Sequence, residues 1–126
     1  CLSEVKLGLI PAVISPYVIN AIGERQARRY FQTAEVFLAD KALSLGLIHE
    51  ISDEPEQTLS TLLEAILQNG PSATKQAKQL IVDVANQPID ESIRKLTAER
   101  IAKVRVSEEG QEGLQAFFDK RAPNWQ

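Results

Sequence analysis

The chain has 126 residues, 44% hydrophobic and 25% charged, with a formal net charge of −3 from 17 acidic and 14 basic side chains. This is one domain's worth of ordinary globular composition. The mild acidity and the lack of a basic run exclude a grip on nucleic acid, and no apolar stretch approaches the ~20 residues that cross a bilayer. A single cysteine, Cys1, excludes an internal disulfide and fits a reducing, cytoplasmic setting. With no methionine, no signal-peptide pattern and an opening Cys1-Leu2-Ser3-Glu4, the chain reads as the inner part of a longer protein.

The first eleven residues are apolar, and Gly8 and Pro11 prevent a long regular element there. Ser15-Pro16 predicts a helix start, with Ser15 as N-cap, and Gly23 its stop. Glu24 opens a second helix whose Ala27, Tyr30, Phe31 and Ala34 share a face. A short helix follows over about Ala39 to Leu45, ended by Gly46. Leu47 to Ser52 is the only convincing strand.

After Pro55, Leu59, Leu62, Leu63, Ile66 and Leu67 recur at helical spacing, and Asn69-Gly70-Pro71 breaks the run. Ala77, Leu80, Ile81, Val84 and Ala85 repeat the pattern up to Gln87-Pro88. Asp90 is placed to cap a helix carrying Ile93, Leu96, Ile101 and Val104. Ser107 is placed to cap the last one, which has Glu108 and Glu109 in its first turn and Lys120 and Arg121 in its last, as the helix dipole favours. The chain is therefore mainly α with at most one or two short strands. Its three later amphipathic helices need cover from each other, from more of the protein or from another subunit.

Few residues suggest chemistry by themselves. His49 is the only histidine, with no second histidine or cysteine near it in sequence, so no metal site is implied. Cys1 has no recognisable base partner. Arg25, Arg28 and Arg29 form a basic cluster that is either a solvated helix face or an attraction for phosphates. Pro123 and Trp125 read as packing residues.

Three stretches carry a resemblance. Ser3-Glu4-Val5-Lys6-Leu7-Gly8-Leu9-Ile10-Pro11 matches a PE-x-x-LG-x-xP segment. Thr33-Ala34-Glu35 through Ala39, Ala42 and Leu45-Gly46-Leu47-Ile48 is similar to a TGE-x-x-x-A-x-x-A-x-x-x-GLV block. Glu112-Gly113 followed by Ala116-Phe117-Phe118-Asp119-Lys120-Arg121 matches an EG-x-x-AF-x-EKR ending. In this order and at these spacings they resemble the crotonase (enoyl-CoA hydratase/isomerase) superfamily along essentially the whole chain. Ala12-Val13-Ile14-Ser15-Pro16 stands where the common version has a glycine-rich turn. That wording resembles hydratases of branched or carboxylated substrates, such as the γ-carboxygeranoyl-CoA and methylglutaconyl-CoA hydratases.

The resemblance implies a subunit about twice this length, of which this chain is the helical C-terminal half that mediates trimer assembly. Residues 1 to 52 would end the crotonase core, and 53 to 126 would form the helical assembly domain. The parent would be a cytoplasmic homo-oligomer, a trimer or dimer of trimers, binding neither nucleic acid nor membrane. It would add water to a 2-enoyl-CoA in acyl-CoA degradation. No metal or redox cofactor is implied, because coenzyme A enters as part of the substrate.

Glu4 stands at the family's second catalytic glutamate, the one that delivers a proton to the α-carbon. The bland reading of Glu4 is a surface glutamate beside Lys6. Leu2, Leu7, Leu9 and Ile10 would give it an apolar setting. Phe117 and Lys120 match positions that reach into a neighbouring subunit, the ring lining the acyl pocket and the lysine meeting the CoA. Their bland readings are core packing and a helix C-terminal charge. The first glutamate and the oxyanion-hole N–H donors lie upstream of Cys1 in the family, so this chain alone is expected to be inert. An isomerase or other crotonase chemistry in the parent, and a non-catalytic helical oligomerisation module, stand as alternatives.

Overall fold

The computed structural model describes residues 1–125. Among them six helices form, α1 (Ser15–Thr33), α2 (Ala39–Ser44), α3 (Pro55–Leu67), α4 (Pro71–Val84), α5 (Glu91–Arg105) and α6 (Glu108–Asp119), preceded by a 3-10 turn over Glu4–Leu7. No strand is present among the described residues. The strand expected over Leu47 to Ser52 is absent: the segment forms bends and irregular backbone instead. A lone strand leaves its N–H and C=O groups without a ladder, and the described residues provide no second strand to pair with it.

The chain divides into two compact units, Cys1–Pro55 and Glu56–Gln126. In the first, α1 is broken at Gly23, whose φ of 76° and ψ of 157° lie where only glycine rests comfortably. The break lets Ile22 before it and Ala27 and Tyr30 after it reach one core with Leu45, against which Leu2, Val18, Phe31 and Phe37 pack. Tyr30 is 1% exposed and meets Phe37 edge to face at 4.9 Å between ring centres. Nothing lies within 4 Å of a Cβ added at Gly23, so Gly23→Ala suffers backbone strain alone. It is expected to destabilise the protein by about 1–3 kcal/mol in chemical unfolding.

Ser15 does not cap α1. It is the first helical residue, and its hydroxyl donates back to the Ala12 carbonyl at 2.9 Å, while Ile14 occupies the cap position. The basic cluster is largely neutralised: Arg28 pairs with Glu24, and Arg29 with Glu35 at 3.0 Å.

The second unit holds its helices by caps more than by burial. Among its described residues only Gly70 and Ala116 are buried. The Asp90 carboxylate accepts from Ile93 N–H at 3.0 Å, and the Ser107 hydroxyl from Gly110 N–H at 3.1 Å, as their positions before α5 and α6 require. Gly70 precedes α4 without a capping side chain of its own. Glu109 of α6 supplies the cap from outside, accepting Ser72 N–H at 2.9 Å and Ala73 N–H at 2.7 Å. That contact favours glycine at position 70, where an added Cβ would stand 2.7 Å from Glu109 Oε1. The apolar face of α3, from Leu59 to Leu67, is exposed.

Candidate active site

Glu4 opens the 3-10 turn, which ends at Gly8 in a left-handed conformation with φ 71°. Leu9 N–H then donates to the Glu4 carbonyl at 3.0 Å, and the chain turns into Ile10–Pro11. An open surface hollow of about 250 Å³ lies here, lined by Glu4, Ile10, Pro11, Ala12, Val13 and Ile14. Glu4 Oε2 is shielded from solvent and makes no hydrogen bond.

A carboxylate oxygen left without a partner out of water carries a full desolvation cost. It is tolerated where something else, a substrate or a water, completes it. The apolar setting differs in part from expectation. Ile10 lines the hollow although it is 74% exposed, Leu7 and Leu9 do not line it, and Leu2 packs against the core cluster. Ala12, Val13 and Ile14, all exposed, line its rim and bring side chains to the positions where the glycine-rich wording has almost none.

Phe117 lies on α6 and is 77% exposed, so it is not core in this chain. It meets Phe118 edge to face at 5.8 Å. Lys120 is not in the last turn of α6 but just past it, in a left-handed conformation with φ 54°. Lys120 N–H donates to Phe117 O at 3.3 Å and Arg121 N–H to Ala116 O at 3.1 Å, the paired bonds of a helix cap that ordinarily carries glycine. A Cβ in that conformation costs on the order of 1 kcal/mol.

The residues after Lys120 form a clasp that the motif reading did not foresee. Arg121 donates to both Glu112 oxygens, at 2.6 and 3.0 Å, and Asn124 N–H donates to Glu112 Oε1 at 3.0 Å. The Trp125 ring lies over Gly113, where an added Cβ would stand 2.9 Å from it, and its indole N–H donates to Gln68 O at 3.3 Å. The Glu112-Gly113 pair is thus explained as an acceptor for the tail and a floor for the tryptophan. The spacing of Glu112 and Arg121 was the available signal, masked by the left-handed residue between them.

Arg121's hydrogen bonds hold the Glu112 carboxyl below its ordinary value of 4.5, with help from Asn124 N–H. A lowered folded value means that the clasp's contribution is present above the unfolded value and lost as pH falls through the folded one. Trp125, the only tryptophan, should therefore report release of the tail by a shift in emission on acidification below about pH 4.5. Glu112→Gln should remove that step.

Among the described residues no three His, Cys, Asp or Glu side chains group to hold a metal ion, His49 is exposed, and no helix is long and apolar enough to cross a membrane.

The enoyl-CoA hydratase/isomerase family model matches residues 1–126. An enoyl-CoA hydratase from Shewanella pealeana is 54% identical in its crystal structure, with a TM-score of 0.92, covering 99% of this chain and 47% of that one. AtuE of Pseudomonas aeruginosa is 36% identical with a TM-score of 0.87, covering 98% and 48% respectively. The short-chain-enoyl-CoA hydratase of Clostridium acetobutylicum is 29% identical over 122 residues, 94% of this chain and 46% of that protein. The chain spans about half the length of the curated relatives it matches. With its motifs and its helical architecture in agreement, the chain belongs to the enoyl-CoA hydratase/isomerase family.

Proposed function

We propose that this chain is the C-terminal half of a crotonase-type acyl-CoA hydratase, in which Glu4 gives a proton to the α-carbon of a 2-enoyl thioester. The supporting observation is the shielded, unpartnered Glu4 Oε2 beside an open, mostly apolar hollow. As water's oxygen bonds to the β-carbon, the C=C π pair moves toward the α-carbon and the thioester oxygen gains charge. A base takes one proton of the water, the remaining O–H stays on the β-carbon, and Glu4 delivers its own proton to the α-carbon. The base and the N–H donors for the oxyanion belong to the family's N-terminal half. Glu4 supplies one proton position, and the walls Ile10 to Ile14 shape the space beside it.

Side chains at Ala12, Val13 and Ile14 support a substrate whose acyl chain is branched or carboxylated and fits a shaped pocket. Phe117 and Lys120 serve a neighbouring subunit, the ring beside the acyl chain and the ammonium on the CoA. The exposed α3 face supports assembly: Leu59, Leu62, Leu63, Ile66 and Leu67 present an apolar surface of the kind that copies of a subunit cover. Further copies of the chain, as a trimer, are the occupant we propose.

The test is an extended protein in which an N-terminal crotonase half precedes Cys1, followed by loss of the conjugated thioester absorbance. The extended protein is expected to turn over a branched 2-enoyl-CoA and the 126-residue chain to be inert. Turnover by the isolated chain contradicts the half-enzyme reading.

A further inference from the structure

A helix closed by the cap seen at the end of α6 ordinarily has glycine in the left-handed position, because a Cβ there crowds the neighbouring carbonyl. In α6 that position is Lys120, at φ 54°. The other left-handed non-glycine residues among those described are Ala34, which closes α1 with φ 48°, and Asn86, a residue type that tolerates the conformation. Lysine does not, and strain of this sort persists only where the surroundings over-determine it.

The surroundings do so here. Arg121 is fixed at two points on Glu112, and its Nε also lies 3.5 Å from Asp119 Oδ2, so the residues on both sides of Lys120 are tied. Asn124 N–H fills the same Glu112 carboxylate, and Trp125 closes over Gly113. Lys120 itself is exposed, and its ammonium has no ion pair among the described residues. One cation is thus held at a strained backbone position by an ion pair that its neighbour makes.

We propose that Glu112 and Arg121 are positioning residues, whose two-point pairing holds Lys120 in the left-handed turn that presents its ammonium to an anionic group of an acyl-CoA. The role rests on the reading of Lys120 as a CoA contact. It adds that a contact internal to the C-terminal unit sets the grip on substrate, although neither Glu112 nor Arg121 touches it.

Steady-state kinetics of the extended protein separates the two. Lys120→Ala is expected to raise KM for the acyl-CoA about tenfold with kcat little changed, as loss of one charge-assisted contact does. Glu112→Gln, and Arg121→Lys, which keeps the charge but loses the planar fork, are expected to raise KM by a similar factor. In a Lys120→Ala background the same two changes are expected to leave KM where Lys120→Ala put it, since they act through that residue. Lys120→Gly, which relieves the strain, is expected to raise Tm while raising KM; a purely structural lysine would raise Tm alone.

If Lys120→Ala leaves KM unchanged, the CoA contact falls and the positioning role falls with it. If Lys120→Ala raises KM but Glu112→Gln and Arg121→Lys do not, the positioning role alone is overturned. Effects that add fully in the Lys120→Ala background overturn it as well.

Discussion

Glu4→Gln in the extended protein should lower kcat by a factor of about 10²–10⁴, the range that a positioned general acid contributes. KM should change little, because the amide has nearly the shape of the carboxyl and the lost interaction belongs to proton transfer. The fold should not suffer. Glu4 Oε2 makes no hydrogen bond, so replacing the carboxyl removes no contact of that atom. A Tm equal to that of the unsubstituted protein would separate lost chemistry from lost structure. Glu4→Asp keeps the acid but retracts it by one methylene from the hollow that Ile10 to Ile14 line, and is expected to fall between the two. An unchanged rate in Glu4→Gln would make Glu4 structural and move the parent to another crotonase chemistry.

The second large effect is on stability. A Cβ added at Gly110 would stand 2.2 Å from the Val104 carbonyl oxygen and 3.2 Å from that of Arg105. Both are backbone atoms at the end of α5, so no side chain can swing aside. Gly110 N–H also donates to the Ser107 hydroxyl that caps α6, so moving the backbone breaks the cap. Gly110→Ala is expected to destabilise the second unit by about 3 kcal/mol, the upper range for overpacking a tight site. Gly113→Ala is a useful contrast, because its added Cβ meets only the Trp125 ring at 2.9 Å, a side chain that is able to move. Urea unfolding should show a large drop in midpoint for Gly110→Ala and a smaller one, with altered Trp125 emission, for Gly113→Ala. Equal midpoints for Gly110→Ala and the unsubstituted chain would show that α5 and α6 are not packed as described.

What could be read in the sequence was mostly local. Asp90 and Ser107 cap helices because the side chain and the N–H it accepts from are three residues apart. Gly23 interrupts α1 because the reason lies in its own φ and ψ. The shared face of Ala27, Tyr30 and Ala34 is buried as helical periodicity implied, with Phe31 packed against the core. Where the partner is distant in sequence, the reading failed. Leu47 to Ser52 has strand composition, but a strand needs a neighbour that the described residues do not provide.

The site followed the same rule. The motif singled out Glu4, and of Leu2, Leu7, Leu9 and Ile10, expected to surround it, only Ile10 lines the hollow beside it, because a 3-10 turn ended by a left-handed glycine turns Leu7 and Leu9 outward into solvent. The cap that Glu109 supplies to α4 spans 36 residues or more, and the clasp of Glu112 by Arg121 and Asn124 runs through a left-handed lysine that no propensity anticipates. The Glu112-Gly113 motif marked the place without showing the contact.

Water addition is distinguished from double-bond migration by the mass of the product. The extended protein is incubated with a branched 2-enoyl-CoA in water enriched in heavy oxygen, and the product is weighed. The expected product is heavier than the substrate by one labelled water, formed with Glu4 present and lost with Glu4→Gln. A product of unchanged mass with a shifted double bond would contradict water addition, and would make the parent an isomerase.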